Sequence, residues 1–253
     1  MKNIGITILA TNGYLILGIR FVNRFLHFYK GDSKITFYFF SDIDPSPYLP
    51  ENVNIVFFES HNKSWVDGTN MKFTSIQRIN ELPQQPDYLF YFDADTNINQ
   101  YFDENWFLGE LVGGQHYADQ SWMKERKGFD RNPKSKAYVP EDTTLPQMYY
   151  YGAFFGGEYN RMVDFCKTMI EWQIEDKKIP YEPGVNDESY INCYFHYNPP
   201  KVVLCPDFKF DVSDKGSIGE TRNVSLDITD KLEQALKLRN TLWDIKYNQI
   251  ISQ

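Results

Sequence analysis

The sequence predicts an α/β fold built on a mostly parallel twisted sheet flanked by helices. Three observations predict it. Tyr88 to Phe92 form an unbroken apolar and aromatic run, preceded by Pro83 and Pro86, and its length suits a strand buried on both faces. Strand-like runs and helix-spaced segments alternate as β-α-β-β-α-β from Ile4 to Phe92. The last run stops abruptly at Asp93 and Asp95, where an open α/β sheet places its ligands, at the carboxyl ends of its strands.

Ile4 to Ala10 reads as the first buried strand, rich in β-branched residues. Thr11-Asn12-Gly13-Tyr14 follows as a loop, and Leu17, Phe21, Phe25 and Phe28 then recur with helical spacing across Leu15 to Tyr29. Such a β-loop-α opening is a usual nucleotide site. It carries neither Gly-x-Gly-x-x-Gly nor a P-loop, which disfavours a standard dinucleotide or ATP cradle. Tyr14 either stacks on a base or only covers the helix start.

Ile35 to Phe40 is a second strand, ended by Ser41-Asp42, and Asn54 to Phe58 a third. A helix follows through Ile76 and Ile79, with Thr69 or Asn70 as candidate caps and Lys72 near its N-terminus. A cation there opposes the helix dipole. Contact with a diphosphate is one use for Lys72; a plain solvated lysine is the alternative, and the residues alone slightly favour it.

After Trp106 the pattern loosens. Gly113 to Tyr138 is polar, basic and aromatic (His116, Trp122, Lys124, Arg126, Lys127, Arg131) and reads as a functional loop. Tyr149 to Gly157 is another apolar strand, interrupted by Gly152, Ala153, Gly156 and Gly157. Small residues there either admit a ligand to the backbone or mark a bulge or tight packing. Met162 to Ile174 is an amphipathic helix. Val185-Asn186-Asp187-Glu188-Ser189 leads into Tyr190 to Phe195, and Lys201 to Leu204 is a last short strand. Asp214 to Ser225 is Gly-rich and polar. Ile228 to Ile250 reads as a long charged amphipathic helix that packs on the domain, contacts a partner or lies on a membrane surface. With no internal repeat and no linker, residues 1–253 read as a single domain.

The 253 residues are 42% hydrophobic and 17% aromatic, enough for a sizeable core. The formal net charge of −8 argues against nucleic acid as a partner. An anionic ligand must then meet a local cation or a metal. Cys166, Cys193 and Cys205 show no Cys-x-x-Cys or zinc spacing, which suits free thiols in a reducing cytoplasm. The opening apolar run is too short for a signal peptide, and no run is long enough to span a membrane. The expected location is cytoplasmic, compatible with peripheral contact with the inner membrane.

Two carboxylates one residue apart at a strand end repel each other unless a cation or a proton lies between them. On a locally extended backbone, Asp93 and Asp95 would point to the same side, suited to a hard divalent metal that also grips a diphosphate. Two other readings stand beside this one. The acids are simply solvated or capping a turn, or Phe92-Asp93-Ala94-Asp95-Thr96 resembles the motif of haloacid-dehalogenase-type phosphohydrolases, with Asp93 as nucleophile.

Further blocks then resemble one family in order and separation. They are Trp65-x-Asp67, Asp87-Tyr88-Leu89 through Asp93-x-Asp95, Ala137-Tyr138-Val139-Pro140, and Tyr149-Tyr150-x-Gly152-Ala153-Phe154-Phe155-Gly156-Gly157. Asp187-Glu188-Ser189-x-x-Asn192-x-Tyr194 and Pro200-x-Val202 leading to Pro206-Asp207-Phe208 complete the set. Together they resemble glycosyltransferase family 6, the family of the histo-blood-group A and B transferases, α-1,3-galactosyltransferases and bacterial relatives. The downstream acidic pair of the phosphohydrolases is not found, nor is the His-x-x-Gly-x-x-Lys-Pro-Trp signature of a second Asp-x-Asp transferase family.

The resemblance implies a GT-A fold and retaining α-1,3 transfer of galactose or N-acetylgalactosamine from a UDP donor to a β-galactoside. The acceptor would be fucosylated or not, on a lipid-linked or lipopolysaccharide precursor. It implies Mn²⁺ (or Mg²⁺) on Asp93 and Asp95, and Glu188 as the catalytic carboxylate. Donor contacts would come from Ala10, Thr11, Tyr14, Asp67, Lys72, Asp93, Ala94, Asp95, Tyr151, Gly152, Ala153 and Asp187. Acceptor contacts would come from His116, Asp211 and Glu188. The chain departs from the family at Lys72, where an arginine is usual, and at Val185-Asn186, where Trp-His is usual; the lost tryptophan removes an acceptor-stacking surface. Tyr151-Gly152-Ala153 matches the donor-sorting segment, and the bulk of Tyr151 and Ala153 favours UDP-galactose over UDP-N-acetylgalactosamine. A catalytically silent, glycan-binding GT-A domain is the non-enzymatic alternative.

Overall fold

The computed structural model describes residues 1–62, 65–98, 100–116, 128–141, 148–204 and 210–211, the side chains of 65–67 and 210–211 excepted. Trp122, Lys124, Arg126, Lys127, Cys205, the Pro206-Asp207-Phe208 block and the helix expected at 228–250 lie outside the described residues.

In chain order the elements are β1 (Asn3–Leu9), α1 (Leu15–Phe28), β2 (Lys34–Ser41), β3 (Ile55–Glu59), α2 (Trp65–Gln77), β4 (Tyr88–Asp93) and β5 (Thr96–Asn97). After them come β6 (Leu111–Gln115), β7 (Tyr150–Glu158), α3 (Tyr159–Asp176), α4 (Asn186–Tyr197), β8 (Val202–Leu204) and β9 (Phe210–Asp211). A seven-stranded sheet runs in the order β3-β2-β1-β4-β7-β6-β8, and β5 pairs with β9 apart from it. Strand β7 alone opposes its neighbours; β1, β2, β3 and β4 pair parallel, as do β6 and β8. The predicted mostly parallel α/β sheet is thus the observed one.

Two apolar layers explain the unbroken strand sequences. Phe37, Phe39, Phe90 and Phe92 join Ile19, Phe21 and Phe25 of α1 on one face of the sheet. Tyr38, Phe40, Leu89 and Tyr91 join Phe73 of α2 and Met162 and Phe165 of α3 on the other. Successive side chains point to opposite faces, so a strand covered on both sides must be apolar at every position. Phe25 meets Phe37 and Phe102 edge to face, at ring separations of 5.4 and 5.1 Å, the geometry aromatic quadrupoles favour.

Several local expectations are corrected. The extended backbone ends at Asp93, and Ala94-Asp95 form a turn into β5. Helix α2 starts at Trp65, so Thr69 and Asn70 lie inside it and Lys72 stands in its middle. Asp187 and Glu188 belong to the first turn of α4 rather than to a lead-in segment. The stretch read as a loop from Gly113 opens inside a strand, β6, that lies between β7 and β8. A Cβ on Gly113 would stand 2.9 Å from the Tyr150 ring and 3.0 Å from the Phe195 ring, so close packing demands the glycine.

Strand β7 carries a pronounced bulge. Phe155 pairs with Gly113 and Tyr150 with Gln115, so residues 151–154 of β7 stand opposite Gly114 alone. The bulge reading of the small residues holds, and the bulge lies next to the acidic cluster.

Candidate active site

Parallel register brings Asp93 beside Leu9, so the end of β4 adjoins the loop after β1. That loop is fixed by polar side chains. Asn12 adopts a left-handed conformation (φ 54°), tolerated by asparagine, and donates its backbone N–H to Asp42 Oδ1 at 2.7 Å. The Thr11 hydroxyl and the Asn12 amide donate to Asn62 Oδ1 at 2.6 and 2.7 Å. The Ala10 carbonyl accepts from the Ser41 hydroxyl. Ala10 and Thr11 are buried, whereas Tyr14 keeps an exposed ring at the head of α1.

The centre of the cluster is Lys72. It is 3% exposed, which excludes the solvated alternative. Its ammonium lies 2.5 Å from Asp187 Oδ2 and 3.6 Å from Asp93 Oδ1, donates to the Gly152 carbonyl at 3.0 Å, and rests over the Tyr91 ring. Burial alone would push its pKa down; Asp187 and Asp93 outweigh that and hold it above the ordinary lysine range. The Tyr91 hydroxyl donates to Asp93 Oδ1 at 2.8 Å. Lys72 thus ties α2, β4, β7 and α4 together.

Asp187 and Glu188 occupy the first turn of α4, where the helix dipole favours negative charge. Asn186, also left-handed (φ 44°), and Val185 precede them. Val185 N–H donates to the Ser189 hydroxyl, and Asn192 locks the helix to β7. Its Oδ1 accepts from Tyr150 N–H at 2.7 Å, while its Nδ2 donates to the Tyr150 and Glu188 carbonyls, each at 2.9 Å. An amide side chain so replaces ladder bonds next to the bulge. This accounts for Asp187, Glu188, Ser189 and Asn192 as one structural unit.

Glu188 receives one donor on each oxygen. Gly152 N–H reaches Oε2 at 2.6 Å, and the Tyr149 hydroxyl reaches Oε1 at 2.9 Å. A Cβ on Gly152 would lie 2.9 Å from Glu188 Cβ and 3.1 Å from Oε2, so the approach requires glycine. Burial pushes the Glu188 carboxyl up to about 7; Asp187 adds to the rise, while Gly152 N–H, Tyr149 and Lys72 oppose it. Burial also raises the Asp187 carboxyl, against the pull of Lys72.

Contacts therefore join Lys72, Asp93, Gly152, Asp187 and Glu188 directly. Ala94 is buried and Asp95 half-buried on the turn beyond Asp93. His116 stacks on Tyr151 at a ring separation of 4.5 Å, and its N–H donates to the Tyr149 carbonyl. Ala153 is only 4% exposed, within the bulge. The backbone of Asp211 pairs with Thr96, near Asp95; its side chain and that of Asp67 lie outside the described residues. Sequence reasoning missed Tyr149, Tyr91, Asn12, Asn62 and the locking role of Asn192. A polar residue beside a motif was the only signal for most of them. Among the described residues, no group of three or more His, Cys, Asp or Glu side chains converges as metal ligands.

The α/β sheet thus gathers Asp93, Asp187, Glu188 and the buried Lys72 into one site next to the end of β4. A family model described as glycosyltransferase family 6 matches residues 1–239, and the chain belongs to that family. It is 29% identical over 220 residues to histo-blood group ABO system transferase 1 of Rattus norvegicus, covering 82% of this chain and 61% of that protein. It is 27% identical over 222 residues to globoside alpha-1,3-N-acetylgalactosaminyltransferase 1 of Gallus gallus, covering 82% and 62%. It is 25% identical over 171 residues to the O-antigen biosynthesis glycosyltransferase WbnI of Escherichia coli, covering 66% and 70%. The chain spans less than two thirds of the length of those two animal relatives. Membership of this family sets the phosphohydrolase alternative aside.

Proposed function

We propose that this chain is a retaining α-1,3-hexosyltransferase that moves galactose from UDP-galactose to a β-galactoside in surface-glycan synthesis. The observation that carries the reading is Glu188. It is a half-buried carboxylate oriented by Gly152 N–H and the Tyr149 hydroxyl, beside the Lys72–Asp187 pair and the acidic end of β4. The names of the relatives, an ABO transferase and an O-antigen glycosyltransferase among them, support glycosyl transfer in glycan synthesis; the choice of galactose rests on Tyr151 and Ala153.

The residues present fit a divalent cation. Asp93 engages Oδ1 with Tyr91 and Lys72, yet its side chain stays 35% exposed, and Asp95 stands two positions on. Two protein carboxylates, with diphosphate oxygens completing the shell, suit Mn²⁺ or Mg²⁺. When bound there, the ion supplies neutralisation of the departing diphosphate.

The chain's own groups do the rest. The exposed Tyr14 ring and the fixed backbone of Ala10 and Thr11 offer a surface for the uridine. Ionised Glu188, aimed by two donors, stabilises positive charge at the anomeric carbon or attacks it. The bond from that carbon to the diphosphate oxygen breaks, and the acceptor hydroxyl forms the new glycosidic bond, displacing Glu188 where it has attacked and passing its proton to the departing diphosphate. Asp187, neutralised in part by Lys72, faces the donor sugar. His116 on Tyr151, and Asp211, belong to the acceptor side. The crowding of Tyr151 and Ala153 favours galactose over N-acetylgalactosamine, and the enzyme acts in the cytoplasm on a lipid-linked acceptor at the membrane face.

Proton NMR of the product from UDP-galactose, Mn²⁺ and a β-galactoside tests the reading. An α-linked galactose at O3 is expected. A β-linked product, or free galactose alone, overturns it.

A further inference from the structure

Tyr149 lies in a block that carries the family resemblance, but the resemblance gives it no role. Its hydroxyl is nonetheless the only side-chain donor within hydrogen-bond distance of Glu188 among the described residues. The ring is 4% exposed. Phe129 packs its edge against it at a ring separation of 5.3 Å, His116 meets it at 5.5 Å, and Val139 and Cys193 complete the same apolar cluster. A phenol held this way has little rotational freedom. Its backbone is fixed as well, since the Tyr149 carbonyl accepts from His116 N–H at 2.8 Å.

We infer that Tyr149 is a positioning residue for Glu188: its fixed hydroxyl, with Gly152 N–H on the other oxygen, sets the plane of the reactive carboxylate and favours its ionised form. The inference deepens the function proposed above and rests on it for its catalytic consequence. Burial, helped by Glu188 itself, raises the Tyr149 phenol well above the ordinary tyrosine range, so it stays a donor at every working pH. The other groups facing Glu188 are Asp187 on its own helix, Lys72 from α2 and, through Lys72, Asp93 of β4. Asp187 raises its pKa and Lys72 lowers it; neither touches Oε1. Removing the phenol hydroxyl thus leaves Oε1 without its donor and moves the Glu188 pKa upward.

Tyr149→Phe keeps the ring and its packing and deletes only the hydroxyl. Carboxyl-¹³C-glutamate labelling, with the Glu188 signal assigned by its loss in Glu188→Gln, follows the titration directly in wild type and variant. An upward shift of about one unit is expected; an unmoved titration overturns the contact. In galactosyl transfer, kcat is expected to fall about 10–100-fold with the KM for UDP-galactose within about twofold, and the acid limb of kcat should move to higher pH. A variant whose kcat and acid limb match wild type overturns the positioning role, as does one whose loss tracks a fall in melting temperature with the limb in place. The titration decides the contact whether or not the wild type transfers galactose, so the two readings fail separately.

Discussion

Gly152 donates its backbone N–H to Glu188 Oε2 at 2.6 Å and, through its carbonyl, accepts from Lys72 at 3.0 Å. One residue without a side chain therefore joins the Glu188 carboxylate to the buried Lys72 ammonium. A Cβ there would press on Glu188 Cβ, on Oε2 and on Asp187 Oδ2, the last at 3.3 Å. Gly152→Ala is expected to lower kcat by about 100-fold, the cost of a small misplacement of a catalytic group. Steady-state kinetics with UDP-galactose checks it, and unchanged kcat counts against the geometry.

Lys72 and Asp187 are a buried pair, with side-chain exposures of 4% and 7%. Lys72→Met leaves Asp187 charged, buried and unpaired. Urea denaturation is expected to show a loss of about 3–5 kcal/mol, because the surviving partner keeps its desolvation cost. Lys72→Met,Asp187→Leu should recover much of that stability but no activity. A single variant as stable as wild type contradicts the buried pair.

Burial is the main cause that pushes the Glu188 carboxyl of the free protein up to about 7. The reaction proposed above needs the carboxylate. Activity is therefore expected to be low below that pH, falling about tenfold per unit, and to level off above it. The sign follows from the raised pKa: lowering pH protonates Glu188 earlier than an exposed glutamate. A kcat/KM profile flat from about pH 5 to about pH 8 excludes Glu188 as the group that sets the rate.

Ala153 is almost wholly buried within the β7 bulge. Ala153→Gly removes one methyl from the segment proposed to sort donors. The ratio of kcat/KM for UDP-N-acetylgalactosamine over UDP-galactose is expected to rise by about 10-fold or more. An unchanged ratio shows that Ala153 does not sort donors.

Much of the frame was legible because physics wrote it locally. Tyr88 to Phe92 had to be a doubly covered strand, since no exposed strand carries five apolar residues in a row. Helix α1 announced itself through Leu17, Phe21, Phe25 and Phe28. Strand β6 was hidden because Gly113 and Gly114 carry no β signal of their own; the Tyr150 and Phe195 rings that require Gly113 come from distant parts of the chain. Lys72 was misplaced for the same reason. Its position in the helix suggested solvent or a phosphate, and only the fold brings Asp187 and Asp93 to it. Glu188 was legible from its motif, whereas Tyr149 became visible only once its hydroxyl was seen on Oε1.

The central claim, a metal-assisted UDP-galactose transferase that works through Asp93, Asp95 and Glu188, meets its most direct test in UDP release. Wild type and Glu188→Gln would be assayed with UDP-galactose and UDP-N-acetylgalactosamine, with Mn²⁺ and with EDTA, over a panel of β-galactosides. The account predicts acceptor-dependent release from UDP-galactose that EDTA abolishes and Glu188→Gln lowers by at least about 100-fold. Release that survives EDTA, or that Glu188→Gln leaves intact, would contradict it.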